Sequence, residues 1–507
     1  MSLLNRTFHP DEANQAFTTG RLLETGVYRY DPKDHHGPTL YYAAAAIQKV
    51  AGNESTAALD VTLLRCTPLL FAALTLCFSF LALRRIFKRA SGKAGVLMPA
   101  VFTLLLATSP IFVFFATDFI QEMLLAAFTA MLFWTATGYA LHQEGTGKIK
   151  RGTWALLAGI AAGLAFATKE TCVLTFFAAV CSAIAVSLVR RMTQYENPSS
   201  QVSKTKSSCT VLFIAGFALT ATLLYSSFAT NWQGVYNAFV AAPLSYVHRA
   251  AGDAVSEGAA YHVHPWWQYL KWLFGWSVFS AAYVLAGILC GIFALLRGKD
   301  GSSTSRECLA TAFAAATCYS LILLAAYSII PYKTPWCALQ IHLPVLLSAF
   351  LGFAVWSFRR KAGLTATAFL TAVLLCDNCA LSTKMSREPD SKDIPYNYAS
   401  ASPQVKDMAR LVRDIVSEKQ KAGNTFVAVA LPSEDTWPLP FYLRDVNARI
   451  GYWTRFEELE ILAAIGRKPD IVVVPAENGH KVQPLFPYLK NTKRFEMRRR
   501  VRVRVFW

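Results

Sequence analysis

Ten runs of apolar residues, each near the thickness of a bilayer's hydrocarbon core, leave this chain few folds to choose from. They lie near residues 62–83, 95–116, 119–141, 153–167, 171–189, 209–229, 272–296, 308–330, 337–358 and 362–379. A helix needs about 20 apolar residues to cross, and it satisfies its own backbone where no water can do so. The expected fold is therefore mainly α, a polytopic transmembrane helical bundle of about ten spans over residues 61–380. Composition agrees: 54% of the 507 residues are hydrophobic and only 16% are charged, too greasy for an ordinary soluble chain.

The net charge of +18 would suit a nucleic acid if it formed one patch. Instead the cations fall in alternate short loops. One set of loops holds Arg84, Arg85, Lys88, Arg89 and Lys93, then Lys148, Lys150 and Arg151, then Arg190, Arg191, Lys204 and Lys206, then Arg297, Lys299 and Arg306, then Arg359, Arg360 and Lys361. The other set holds Lys169, Arg249, Lys271 and Lys333. The positive-inside rule makes the first set cytoplasmic. Residues 1–60 and those after 380 then face outward, nucleic acid drops out as a partner, and the expected setting is a multi-pass protein of the cytoplasmic (inner) membrane.

Residues 1–60 form a long outer loop ahead of the first span. Pro10 opens a helix that Gly26 ends, with Asp11 and Glu12 in its first turn, and an amphipathic helix follows from Thr39 to Val50. From about 388 the long apolar runs give way to short alternating elements. Residues 403–421 read as an amphipathic helix, "TFVAVAL" and "DIVVVP" as buried strands, "RFEELEILAAIG" as a helix between them, and "MRRRVRVRVFW" as one closing strand. This is a small C-terminal α/β extracytoplasmic domain, 388–507. Its closing arginines mark a solvated or headgroup-facing side, with phosphate binding as the alternative. The Ser-rich linker at 194–208 reads as flexible. The cysteines read as small buried hydrophobes, and a bridge is open only to Cys376 and Cys379 in "CDNC".

Chemistry-bearing residues gather on the outer side. Asp11 and Glu12 are either helix-start acids, worth about 0.3–1 kcal/mol through the dipole, or a catalytic pair. In "ATDFIQEML", Asp118 and Glu122 are spaced to share one helical face, and Glu122 enters an apolar run where an ionised group costs about 2.5–3.5 kcal/mol at mid-bilayer. Lys169 and Glu170 in "ATKETC" are either a snorkelling lysine with its neighbour or a cation placed for a lipid phosphate. Tyr332 and Lys333 in "IIPYKTPW" sit between prolines that break the helix, and broken backbone at membrane depth lines cavities. His9, His35, His36, His248, His262 and His264 all fall in outer loops. His262 and His264 could contribute to a divalent metal site, though no stretch has complete ligand spacing. Acids able to take a proton and cations able to stabilise an anionic leaving group suit transfer of a sugar from a polyprenyl phosphate. A transporter or flippase-associated protein for lipid-linked sugars is the alternative, and a scaffold is the third.

The stretches "HPDEA", "GVYRYDPKDHHGPTLYY", "SPIFVFFATDFIQEMLLAAF", "GLAFATKE", "HPWWQYLKWL", "YKTPW" and "WPLPFYLRD" resemble, in order, the GT-C superfamily of polytopic glycosyltransferases. The branch they most resemble is the flippase activity-associated family, related to protein O-mannosyltransferases and the lipid A aminoarabinose transferase. The resemblance implies an inverting enzyme that moves a sugar from a polyprenyl-phosphate donor to a protein, lipid or glycan acceptor beside membrane lipid. It implies Asp11 as general base with Glu12 supporting it, Glu122 as the acid of the second outer loop, and Lys333, with Tyr332 and Lys169, on the donor phosphate. His36 in "HGP" falls beside the acceptor, with Asp118 and His262 in support. Relatives often carry an arginine where this chain has Thr117. Relatives also begin with a span that delivers the acidic loop outward, so about 20–30 further residues are expected ahead of Met1; upstream sequence without an apolar segment would refute that.

Overall fold

The computed structural model describes the chain outside residues 1–2, 33–35, 92–94, 143–148, 194–203, 245–261, 298–303, 359–360, 392, 399, 421–424 and 499–500. His35, His248, Arg249, Lys93, Lys148, Lys299, Arg359, Arg360 and most of the Ser-rich linker lie outside the described residues. The chain divides into two compact units, one of residues Met1–Gly26, Ala44–Leu64 and Arg387–Trp507, the other of Val27–Ala43 and Arg65–Ser386.

Along the chain come α1 (Pro10–Thr25), α2 (Thr39–Val50), α3 (Val61–Ser91), α4 (Leu97–Thr108), α5 (Pro110–Phe115), α6 (Glu122–Ala140), α7 (Arg151–Phe166), α8 (Cys172–Thr193) and α9 (Lys204–Tyr225). The membrane unit is completed by helices Val278–Leu296, Thr304–Ile329, Ala338–Ser357 and Lys361–Arg387. Among the described residues, seven helices are long and apolar enough to cross a membrane, and Leu97–Thr108, Arg151–Phe166 and Cys172–Leu188 are shorter apolar ones. Small residues let these helices close on one another. A Cβ on Gly159 of α7 would meet the Phe213 carbonyl oxygen of α9 at 2.0 Å, and one on Gly287 the Ala349 carbonyl oxygen at 2.5 Å.

In the membrane unit three sequence expectations change. The second apolar run is not one helix: Ser109 takes extended backbone (ψ 127°) before Pro110, which lacks an N–H and cannot continue α4. The Ser109 hydroxyl is 2.8 Å from His342 Nε2, a polar pair buried at the break. Asp118 and Glu122 do not share a helical face, because α5 ends at Phe115 and the chain turns until Glu122 starts α6. Cys376 and Cys379 are exposed, free thiols on the Lys361–Arg387 helix.

The other unit contains a five-stranded sheet in the order β2-β1-β3-β5-β4, formed by β1 (Val427–Ala430), β2 (Ile450–Trp453), β3 (Ile471–Pro475), β4 (Thr492–Arg498) and β5 (Val501–Phe506). Strands β1, β2 and β3 are parallel, and β5 joins antiparallel to β3 and β4. Strand β1 is buried on both faces, which explains its continuous apolar run. The Gln404–Gln420 helix buries Val405, Met408, Ala409, Val412 and Val416 as one stripe. The closing segment is a hairpin and not a single strand: Met497 and Arg498 end β4, and β5 returns from Val501 with Arg498 opposite Val501. Alternating Arg and Val hold along β5 alone, and periodicity cannot reveal where a strand reverses. Arg498 pairs with Asp435 at 2.5 Å.

Candidate active site

In the membrane unit, the "HGPTLYY" segment is seated directly on the turn joining α7 to α8. The Gly37 N–H donates to the Thr168 carbonyl at 3.1 Å, the Thr39 N–H to the Ala167 carbonyl at 3.2 Å, and the two threonine hydroxyls of Thr39 and Thr168 meet at 2.8 Å. The approach is so close that a Cβ on Gly37 would lie 2.2 Å from the Ala167 carbonyl oxygen. A glycine is required there because no side chain fits between two backbones at that separation. Behind it, Tyr28 stacks on Tyr41 at 5.0 Å and donates from its hydroxyl to the His36 carbonyl at 2.5 Å. The Tyr28 N–H and the Tyr42 hydroxyl both donate to Ser227 Oγ at 2.9 Å. Ser227, Phe228 and Ala229 all have positive φ, a left-handed run costing about 1–3 kcal/mol per residue, which the surrounding contacts hold in place.

This seating brings His36 to Glu170. His36 Nδ1 and Glu170 Oε2 are 2.9 Å apart, and the Tyr30 hydroxyl donates to Glu170 Oε1 at 2.9 Å. A carboxylate only accepts, so Nδ1 of His36 carries the hydrogen. Burial alone would raise the Glu170 pKa, but the His36 ring and the hydrogen bonds from His36 and Tyr30 outweigh it and hold the carboxyl below its ordinary range. One residue away, Lys169 does not snorkel. It is 5% exposed, and its ammonium donates to Glu122 Oε1, itself on a residue 1% exposed. Burial would lower the Lys169 pKa, but the Glu122 carboxylate reverses that and raises it. The Gln340 side-chain amide donates to the Glu122 carbonyl at 2.8 Å, fixing the start of α6 against the Ala338–Ser357 helix. Asp118 is buried in the turn leading to Glu122. Three segments far apart in sequence thus place a histidine, two carboxylates and an ammonium together at one end of the bundle.

A second cluster joins "YHVHPWW" to "PYKTPW". Val263 and Tyr332 pair as an antiparallel bridge, the Lys333 N–H donates to the His262 carbonyl at 2.8 Å, and the His264 N–H donates to the Pro331 carbonyl at 3.2 Å. The Lys333 ammonium donates to the Ile330 and His264 carbonyls, so two of its three N–H donors serve the backbone. Burial lowers its pKa; burial, then Lys333, also lowers that of His264. His262 and Tyr332 lie ring against ring at 4.7 Å. Among the described residues no three His, Cys, Asp or Glu side chains gather as a metal site.

Asp11 and Glu12 belong to the other unit, where their environments differ sharply. The His9 N–H donates to Glu12 Oε2 at 3.0 Å and the Asp11 N–H to His9 Nδ1 at 3.1 Å, a reciprocal cap on α1. Glu12 is fully buried, with the Arg6 guanidinium 4.0 Å away. The Asp11 side chain is 46% exposed and 3.8 Å from His9 Nδ1. Phe8 anchors this start by stacking on Phe441 at 4.7 Å. Sequence reasoning noticed Glu170 only as a neighbour of Lys169, and missed Tyr30, Gly37 and Gln340. A charged pair in a charge-poor stretch was the available signal for Glu170; Gln340 has none, because it lies inside an apolar run.

Residues 35–202 match the model of the family described as dolichyl-phosphate-mannose-protein mannosyltransferase. No curated protein matches the chain. Among solved structures, ArnT from Cupriavidus metallidurans bound to undecaprenyl phosphate is similar, with a TM-score of 0.60 and 14% identity over 99% of this chain and 94% of that one. The same protein in the apo state gives a TM-score of 0.57 at 14% identity, over the same shares of the two chains. At that identity the likeness is one of fold.

Proposed function

We propose that this chain, a membrane glycosyltransferase of the GT-C superfamily, transfers a sugar from a polyprenyl-phosphate donor to an acceptor hydroxyl on the membrane side opposite the basic loops. The observation that carries the reading is the buried Lys169–Glu122 pair beside the Glu170-oriented His36. The matched family and the undecaprenyl phosphate held by the similar fold support a lipid-linked donor.

In this proposal the acceptor oxygen attacks the anomeric carbon from the side opposite the phosphate. The new C–O bond forms as the carbon–phosphate oxygen bond breaks, the electron pair leaves with the phosphate, and the sugar carbon inverts. Lys169 stabilises the charge gathering on that phosphate, with Lys333 and Tyr332 as further donors. Glu122 keeps Lys169 protonated and positioned; Asp118 and His262 support the turns on either side. His36 accepts a hydrogen bond from the acceptor through Nε2, its tautomer set by Glu170. Asp11 is proposed as the general base on sequence grounds, and its half-exposed carboxylate lies 3.8 Å from His9 Nδ1. The acceptor is a protein, lipid or glycan hydroxyl.

The test uses membranes carrying the full chain and radiolabelled polyprenyl phosphosugars. Wild type is expected to release polyprenyl phosphate and label an acceptor, with Lys169→Met and Asp11→Asn each reducing turnover about 10²–10⁴-fold. Unchanged turnover in both variants would overturn the assignment.

A further inference from the structure

Away from these residues, the membrane unit contains a cavity of about 680 Å³ lined by none of the residues given a role in transfer. It lies between α3, α6, α8 and the Thr304–Ile329 and Ala338–Ser357 helices, and its wall includes Leu83, Phe133, Val186, Ala312 and Leu347. Two hydroxyls on that wall are engaged by the protein, Ser182 donating to the Ala315 carbonyl at 2.8 Å and Thr137 to the Trp134 carbonyl at 2.8 Å. The volume is that of a small-molecule site, but the shape is long. The wall follows α6 from Thr129 to Leu141, about 18 Å at 1.5 Å per residue, and α3 from Ser79 to Arg89, about 15 Å. Half of a roughly 30 Å hydrocarbon core is about 15 Å. The cavity therefore has the length of one leaflet's hydrocarbon and begins where that leaflet's headgroups lie.

At the basic-loop end, where α3 and α6 finish and the Thr304–Ile329 helix starts, its wall is Arg89, Leu141 and Glu307. Arg89 is exposed there, and Arg84 and Lys88 are exposed on the same last turns of α3. Arg85 is occupied, with its guanidinium 4.1 Å from the Trp154 ring and a 2.8 Å hydrogen bond to the Trp134 carbonyl. The exposed cations on the last turns of α3 outnumber the Glu307 carboxylate at that end of the slot, which fits a chain carrying an anionic head. The donor's phosphate belongs at the other end of the bundle, where α6 begins at Glu122, so its tail would have to enter from the wrong side. We propose that the cavity is a binding site for one acyl chain of an anionic phospholipid from the basic-loop leaflet, with its phosphate against Arg89 and Lys88.

The experiment is a thermal unfolding series on the purified full chain in a neutral detergent, titrated with phosphatidylglycerol, phosphatidylcholine or a polyprenyl phosphate. Phosphatidylglycerol at about a hundred times its Kd is expected to raise the midpoint of wild type by about 4 °C, and phosphatidylcholine by less. Arg89→Gln should remove the preference for the anionic lipid. Ala312→Phe and Ala179→Phe, two independent fillings of the slot, should each remove the shift for both phospholipids. No shift on wild type, a full shift retained in a folded filled variant, or polyprenyl phosphate acting as strongly as phosphatidylglycerol and losing its effect in the same filled variants would each overturn the assignment. Should both fillings fail to fold, native mass spectrometry of wild type decides: a co-purifying phosphatidylglycerol supports the site, and its absence after gentle extraction counts against it.

Discussion

Replacing Lys169 by Met would leave the Glu122 carboxylate buried and without its cation, and the size of the penalty follows from the burial. Glu122 is 1% exposed and Lys169 5%, so neither charge can be rescued by water in place. Breaking a buried pair by removing one partner costs about 3–5 kcal/mol, much of it the cost of the abandoned charge. Spread over a membrane unit of roughly 340 residues, at about 2 cal/mol/K of unfolding entropy per residue, that corresponds to a midpoint lowered by roughly 4–7 °C. Lys169→Met with Glu122→Gln removes both charges and should recover much of the loss, giving a coupling of about 2–3 kcal/mol in a double-mutant cycle. Transfer should stay low in the double variant, because Lys169 is proposed to meet the phosphate. Thermal unfolding in detergent and the labelled-donor assay read the two quantities separately. A single variant within about 0.5 kcal/mol of wild type would refute the burial argument. A double variant with restored transfer would refute the catalytic role while leaving the structural one intact.

Four further outcomes are expected. Glu170→Gln should destabilise the chain at neutral pH: a carboxyl whose folded pKa is depressed contributes fully above its unfolded value of about 4.3 and loses the contribution as pH falls through the lower folded value, so melting curves of variant and wild type should converge only in acid. Gly37→Ala would force a Cβ toward the Ala167 carbonyl oxygen at 2.2 Å, and a cost of about 1–3 kcal/mol with loss of transfer is expected by the same two assays. Asp11→Asn should leave the melting midpoint within about 1 °C, since an exposed site contributes little, while transfer collapses. Glu12→Ala should do the reverse in emphasis, lowering stability by about 1–3 kcal/mol through the lost cap and an unsatisfied buried donor, measured as the unfolding midpoint.

Much of the architecture is written in local patterns. Apolar run length and the alternation of basic loops define a multi-span helical chain, and Pro10 and Gly26 mark α1, which begins at Pro10 and closes with Gly26 at φ 71°. These features are legible because each depends on residues within a few positions of one another. The single-strand reading of the last eleven residues fails at the hairpin for the complementary reason. The alternation of Arg and Val covers β5 alone and does not say where the preceding residues pair, and β4 meets β5 through contacts periodicity does not carry.

Residue chemistry near Lys169 was also legible, as a charged pair in an apolar stretch, and His36 stood out through the "HGP" of the family resemblance. Their partners were not. Spacing assigned Glu122 to Asp118 on one helical face, whereas the fold gives Glu122 to Lys169 and His36 to Glu170 across separations of 47 and 134 residues. The sequence by itself determined that these groups are present at a membrane boundary, because desolvation makes an unexplained charge there expensive. Only the tertiary structure decided which charge answers which, because a salt bridge or hydrogen bond acts over a few ångströms of space, and the seating of Gly37 against the α7–α8 turn is what closes that distance.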